Sequence, residues 1–347
     1  MTQFTTSEPA ADTNPDTDTH TDPAATGPAE RAGNLRGRTV LISGGSRGIG
    51  HAIAVALAAR GANVALLAKT DTPHPKLAGT VHTAVEDIRA AGGQGLAVVG
   101  DVRRDEDVLA AVERTVETFG GIDIVINNAS AIDLSPTEVL DMKRYDLMHD
   151  INVRGTFLLS KTAAPHLRTS AAKHQAAAEG AAADAVSSKG SEPGFTPQIL
   201  TLSPPLALSS AGLDPVWLGR HLGYTMSKYG MSMTTVGLAA ELEPDGVAVN
   251  SLWPATYIDT AAIRNLAALA GEQGETMIRG ARRVEIVADA AVALLSGQVS
   301  TPGADGTPHP ISGAFLTDEQ VLRQLGVEDF TDYAVDPEAE LIPDAFL

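Results

Sequence analysis

The chain has 347 residues, 44% of them hydrophobic, no cysteine and a formal net charge of −18. The length suits one large α/β domain or two small ones, and the lack of cysteine excludes disulfides, thiol nucleophiles and zinc–thiolate sites. An acidic surface repels phosphate backbones, which argues against nucleic acid as a partner, and nine scattered histidines with no HExxH and no close pair give no metal signature.

Residues 1–33 carry six acids and one arginine and are rich in Thr, Asp, Pro and Ala. So little apolar surface cannot offset the entropy of ordering, and a disordered acidic tail is expected. Beyond it, TVLIS (39–43), NVALLA (63–68), GLAVVG (95–100), IDIVIN (122–127), QILTLS (198–203), GVAVNSL (246–252) and GAFLT (313–317) are apolar, β-branched runs of strand length. Segments 49–60, 80–91, 105–119, 138–168, 222–243 and 284–296 have helical spacing and lie between them. This alternation predicts the α/β class: a single doubly wound Rossmann-type domain over 34–320, with a parallel sheet of about seven strands and helices on both faces. The alanine-rich stretch 170–195 reads as a low-complexity surface insertion. It leads into the amino end of a strand, whereas ligands in such folds bind beyond the carboxyl ends, so it is expected on the side away from any site. Residues 321–347 are expected as an extension packed on the domain. No run of eighteen apolar residues occurs, because Arg60 interrupts the best candidate, and no basic-then-apolar leader opens the chain. A soluble, cytoplasmic protein without a membrane span is expected.

SGGSRGIGHAIA (43–54) follows the first strand and opens a helix, with Gly44, Gly48 and Gly50 in the spacing G-x-x-x-G-x-G. Glycine lets the backbone approach a pyrophosphate while the helix N-terminus offers free N–H groups; a plain tight turn is the bland alternative. The second strand ends ALLAKT, with Lys69 where an acid for a ribose 2′-hydroxyl would stand, and Arg47 adds a cation inside the glycine turn. A missing acid and two cations point to NADP(H) in preference to NAD(H).

YTMSK (224–228) sets Tyr224 and Lys228 four apart, on one helical face. An ammonium beside a phenol favours the phenolate and brings its proton toward working range. With five tyrosines and seven lysines, chance alone supplies such a pair in about one chain of this length in ten, so context must carry the motif.

These residues resemble the short-chain dehydrogenases/reductases over roughly 36–320: GGSRGIG at 44–50, DV at 101–102, NNA at 127–129, NVRG at 152–155, YTMSK at 224–228 and NSLWP at 250–254. More narrowly, AKTDTPHPKLAGT (68–80), NNASAI (127–132), SPPL (203–206), YTMSKYGMSM (224–233) and the ending PDAFL resemble the hydroxysteroid dehydrogenase-like protein 2 branch, without its appended sterol-carrier domain. The resemblance implies Tyr224 as general acid/base toward the substrate oxygen, Lys228 holding the nicotinamide ribose, and Asn152 binding a water in the proton relay. It further implies a cofactor groove built from Gly44, Ser46, Arg47, Gly48, Ile49 and Gly50, then Lys69, Asp101, Val102, Asn128 and Ala129, with Ile258 near the nicotinamide. A strand-end cap for Asp101, a turn amide for Asn128 and a helix cap or polar contact for Asn152 are the bland alternatives.

Most family members place a Ser-Ser pair after the fifth strand, whose second serine hydrogen-bonds the substrate carbonyl. Here that position is Pro204. Either Ser203 takes over, or Ser209 or Ser210 reaches in, or no serine participates. The usual Pro-Gly after the sixth strand is Pro254-Ala255. In the lid segment 255–283, Ile258, Ala261, Ala262, Leu266 and Leu269 offer an apolar wall, which suggests a small lipophilic carbonyl or alcohol as substrate, and an ordinary amphipathic helix explains them equally. The expected activity is an NADP(H)-dependent carbonyl–alcohol oxidoreductase, working as a homodimer or homotetramer. The rival is a nucleotide-binding scaffold or lipid-binding protein of the same fold with weak or no turnover.

Overall fold

The computed structural model describes residues 33–73, 79–184, 195–206, 215–302 and 308–347. The order is β1 Thr39–Ser43, α1 Gly48–Ala58, β2 Asn63–Ala68, α2 Val81–Ala90, β3 Gln94–Val99, α3 Asp105–Phe119, β4 Ile124–Asn127, α4 Met142–Met148, α5 Thr156–Asp184, β5 Gln198–Thr201, α6 Pro215–Arg220, α7 Leu222–Leu242 and β6 Ala248–Trp253. Then follow α8 Ala261–Leu269, α9 Glu272–Arg279, α10 Glu285–Leu295, a hairpin of β7 Ser300–Pro302 and β8 Pro308–Pro310, β9 Phe315–Thr317 and α11 Asp318–Gln324. Seven strands form one sheet in the order β3-β2-β1-β4-β5-β6-β9, and every pairing in it is parallel.

The near-continuous apolar strands follow from cover on both faces. Val40 and Ile42 of β1 join one buried cluster while Leu41 joins the other; in β2, Val64 and Leu66 divide from Ala65 and Leu67 in the same way. Successive side chains of a strand point to opposite faces, so a strand covered twice needs apolar residues at every position. The first cluster includes Ile53 and Leu57 of α1 and Ile286 and Leu294 of α10; the second includes Val108 and Val112 of α3, Leu159 and Leu167 of α5, and Leu238 and Leu242 of α7. Among the described residues no helix is long and apolar enough to cross a membrane, and no cluster of three or more His, Asp or Glu is arranged for a metal.

Two departures from the sequence-based expectation fall in one stretch of the chain. The helix predicted over 138–168 is interrupted between α4 and α5 by a π-helical turn, His149–Gly155, and it does not end at 168. α5 runs on to Asp184, so 170–184 of the stretch read as an insertion continue the helix. Tertiary contacts hold its early part: Ser170 and Ala171 are buried, Ser170 Oγ donates to Asp123 Oδ1 at 2.5 Å, and Arg38 Nη1 donates to His174 Nε2 at 2.9 Å. Arg38 and Asp123 directly precede β1 and β4, so these contacts lie at the amino edge of the sheet. Residues 1–32 of the expected tail and 185–194 of the expected insertion lie outside the described residues, as do Ser209 and Ser210.

Candidate active site

A cavity of about 780 Å³ opens along the carboxyl edge, and the residues that follow β1 to β6 all contribute to its wall: Gly44, Lys69, Asp101, Asn128, Leu202 and Pro254. α1 points its N-terminus at this cavity, and Ser46, Arg47, Gly48 and Ile49 line it. The first turn of α1 contains no acid and its N-cap Arg47 makes no capping bond, so neither offers the leading N–H groups a side-chain acceptor. Gly44 and Gly48 have φ of +73° and +59°, and a Cβ on Gly44 would stand 2.7 Å from Ala129 Cα. A Cβ on Gly50 would stand 2.3 Å from Asn128 Nδ2. That amide staples the turn, donating to Ser43 O at 3.1 Å and Gly44 O at 2.9 Å. A bare cradle of backbone N–H groups at a positive helix end fits the pyrophosphate of a dinucleotide.

Farther along the cavity, Val102, Ala129 and Ile258 lie on the wall. Asp101 grips Arg103, with Nη2 at 2.6 Å, and that bond holds its carboxyl below the usual range. Arg47 also lies against the end of β2, its Nη2 donating to Gly79 O at 2.8 Å and Thr70 Oγ1 at 3.3 Å, while its Nε is buried without a partner among the described residues.

α7 carries Tyr224 and Lys228 into the same cavity, both buried. Lys228 Nζ donates to Leu202 O at 2.8 Å, contacts Met231 Sδ at 3.3 Å and lies 4.9 Å from the centroid of the Trp253 ring. Burial pulls this amine down to about 7, against the attraction of Asp344. The Tyr224 hydroxyl moves opposite to the direction expected from the Tyr–Lys spacing. Burial, with the Asp344 carboxylate adding to it, pushes the phenol above its ordinary value.

Asn152 and Ser203 are not on the cavity wall. Asn152, in the π-helical turn, is fully buried and its amide is engaged: Oδ1 accepts from Ala131 N at 2.8 Å, while Nδ2 donates to Ala131 O at 3.0 Å and Ser227 Oγ at 2.9 Å. It ties the segment after β4 to the helix of Tyr224, which is the polar contact named above as the bland alternative. Ser203 is wholly buried, its Oγ lying 2.7 Å from Ser251 Oγ on β6, while the Pro204 carbonyl that follows is held by Ser232 Oγ at 2.7 Å. The chain enters its two prolines with the serine turned into the core. In the lid, Ala261, Ala262 and Leu266 line the cavity as expected, but Leu269 is 86% exposed and does not.

Sequence reasoning missed the residues that close the far end. Trp217 of α6, Trp253 of β6, and Asp344, Ala345 and Phe346 of the C-terminus all line the cavity. The Phe346 ring is buried, with its centroid 5.5 Å from that of Trp253, 5.9 Å from Tyr229, 6.0 Å from Tyr224 and 6.2 Å from Trp217. The one available signal was an apolar, aromatic ending, DAFL, on a chain whose aromatic content is only 4%.

Comparison with known proteins agrees with this fold. A family model for short chain dehydrogenase matches residues 38–194. Hydroxysteroid dehydrogenase-like protein 2 of Danio rerio is 44% identical over 318 residues, 92% of this chain and 66% of that protein; the Homo sapiens protein of the same name is 42% identical over 315 residues, 91% and 64%. The chain thus spans just under two thirds of the length of these curated relatives. Among solved structures, a candidate dehydrogenase from Xanthomonas campestris is 46% identical, with a TM-score of 0.73 over 90% of this chain and 99% of that one. A short chain dehydrogenase from Mycobacterium thermoresistibile is 45% identical, with a TM-score of 0.72 over 90% and 96%. Identity of 45–46% over nearly the full length of solved dehydrogenases, on the same doubly wound fold, makes the chain a member of the short-chain dehydrogenase family of oxidoreductases, which bind a nicotinamide dinucleotide.

Proposed function

We propose that the protein is an NADP(H)-dependent oxidoreductase that interconverts a carbonyl and an alcohol on a small lipophilic substrate, with Tyr224 as the general acid/base. The observation that carries this reading is the convergence of Tyr224, Lys228 and the glycine cradle on one cavity. The bound nicotinamide supplies or takes up the hydride. Tyr224 gives its proton to the carbonyl oxygen in reduction and recovers it in oxidation. Lys228 holds the nicotinamide ribose and, when charged, eases the build-up of charge on the phenol oxygen. Asn152, through Ala131 and Ser227, keeps the helix of Tyr224 in register with the cofactor groove.

Preference for the 2′-phosphate is supported by Arg47 and Lys69 on the cavity wall, while the next acid in the chain after β2, Asp71, is bound to His82 at 2.7 Å. Replacing Lys69 by Ala is expected to raise the dissociation constant of NADPH about tenfold, the typical worth of one charge-assisted bond, and to leave NADH nearly unchanged. Titration of both coenzymes by fluorescence checks this, and equal losses would remove the NADP claim. A lipophilic substrate is supported by Ile258, Ile263, Leu266, Met277, Trp217 and Phe346 on the cavity wall. Assembly as a homodimer or homotetramer belongs to the same reading, supported by exposed Met226, Met233 and Val236 on α7 and Phe157 on α5.

One observation favours a second reading, a weakly catalytic nucleotide-binding scaffold or lipid-binding protein: Ser203 lies off the cavity, and loss of one oxyanion donor typically costs about 10²- to 10³-fold in rate. A panel of aliphatic aldehydes, cyclic ketones and quinones, followed by NADPH oxidation, separates the two. Turnover supports the oxidoreductase; tight NADPH binding with no turnover across the panel supports the scaffold.

A further inference from the structure

The C-terminal residues fold back across the carboxyl edge and zip onto the backbone that leaves β6. Thr256 and Pro343 form an antiparallel bridge, Tyr257 N donates to Ile342 O at 3.0 Å, and Asp344 N donates to Ala255 O at 3.1 Å. The backbone is therefore tied down on both sides of Pro343, and the Asp344 side chain is delivered to the cavity that holds Tyr224 and Lys228. Its Oδ1 accepts from the Trp253 indole Nε1 at 2.7 Å and from Phe346 N at 3.3 Å. The ring of that same indole carries the Lys228 amine 4.9 Å from its centroid. A buried carboxylate is costly unless a cation compensates it. An uncharged amide would accept the two N–H bonds equally well, so what the carboxylate adds is charge.

We infer that Asp344 is a positioning residue of the catalytic centre: its carboxylate is the buried counter-charge that keeps the Lys228 side chain an ammonium, acting across the Trp253 indole. This rests on the reading of Tyr224 and Lys228 given under Proposed function. The titratable groups that face Asp344 are Lys228 and Tyr224 from α7, Tyr257 from the segment after β6, and Asp318 from α11, which is itself attracted by Arg282. Burial raises Asp344 to about 6 while Lys228 opposes the rise, and burial lowers Lys228 to about 7 while Asp344 opposes the fall. Each charge stabilises the other. The carboxylate also disfavours the phenolate of Tyr224, so it keeps the phenol loaded with its proton. With the carboxylate gone, burial acts on Lys228 unopposed and the ammonium is lost at lower pH.

The test is a pH titration of the full chain carrying ¹³C,¹⁵N-lysine, with the Lys228 signal assigned by its loss in Lys228→Met. Asp344→Asn retains the acceptor for Trp253 and Phe346 and removes the charge. The Lys228 midpoint is expected to fall by about one pH unit, a tenfold loss of proton affinity. Asp318→Asn, which removes a neighbouring buried carboxylate that does not act on Lys228, is expected not to lower it. In reduction of a quinone by NADPH, the alkaline limb of the kcat profile should move down in parallel with the Lys228 midpoint while KM stays constant. An unchanged Lys228 midpoint in a folded Asp344→Asn protein overturns the inference. Should that variant fail to fold, the wild-type titration decides: the Lys228 signal must show a second inflection where the Asp344 carboxyl titrates, and a curve without it is equally fatal. The lysine midpoint is read without turnover, so a failure of the proposed function, seen as full activity in Tyr224→Phe or as no turnover across the carbonyl panel, stays distinguishable.

Discussion

Tyr224→Phe is expected to lower carbonyl turnover at least ~10²-fold while leaving the NADPH dissociation constant within about twofold, because the change removes one hydroxyl and nothing else. The ring is buried and packs against Phe346, and both contacts survive in phenylalanine. The glycine cradle lies on a different element, so coenzyme binding has no reason to change. The direction of the Tyr224 shift adds a pH dependence. Its folded value lies above the ordinary one through burial and Asp344, so the phenol is protonated across the neutral range and the site is poised to protonate a carbonyl oxygen. The first group lost as pH rises is then Lys228, near 7. Reduction should therefore weaken on the alkaline side through the lysine, well before the phenol titrates. Steady-state rates and coenzyme titration on the two proteins check both statements, and a phenylalanine variant with wild-type turnover sinks the proposed chemistry.

The second large effect is expected at the C-terminus. Phe346→Ala deletes a fully enclosed ring from a cluster of four aromatic partners, a change that typically costs about 3–5 kcal/mol where the surroundings cannot collapse. Here the segment has another way to respond. It is held by a few backbone bonds and by Trp253 on Asp344, so the loss is expected to appear as local release of 342–347 rather than as global unfolding. Amide exchange at Tyr257, which donates to Ile342 O, should accelerate about 10²-fold, equivalent to about 2.7 kcal/mol. With the wall withdrawn, KM for short carbonyls should rise and longer ones should gain relative to them. Unchanged exchange at Tyr257 would show that the ring does not hold the tail.

Local features of the chain were legible without coordinates. The apolar runs at 39–43 and 63–68 match β1 and β2, and the helix predicted at 105–119 matches α3. Gly44, Gly48 and Gly50 could be read as a turn-and-helix unit because the motif, its strand and its helix are contiguous. Where the outcome depended on distant partners the reading was weaker. Helical periodicity over 138–168 did not reveal the π-helical turn, and low complexity concealed the helix through 170–184, which distant Arg38 and Asp123 stabilise.

The strand–helix alternation, the Gly44–Gly50 cradle and the shared helical face of Tyr224 and Lys228 were set by the order of residues alone, because each depends on spacings of seven residues or fewer or on a repeating period. The inward turn of Ser203 to Ser251, the engagement of Asn152 by Ala131 and Ser227, and the docking of Asp344 on Trp253, 91 positions away, were decided only when the chain closed on itself. Spacing determines which face of an element a side chain occupies. What that face meets, and so whether a phenol is eased toward or held from ionisation, is settled by long-range packing and the dielectric it creates.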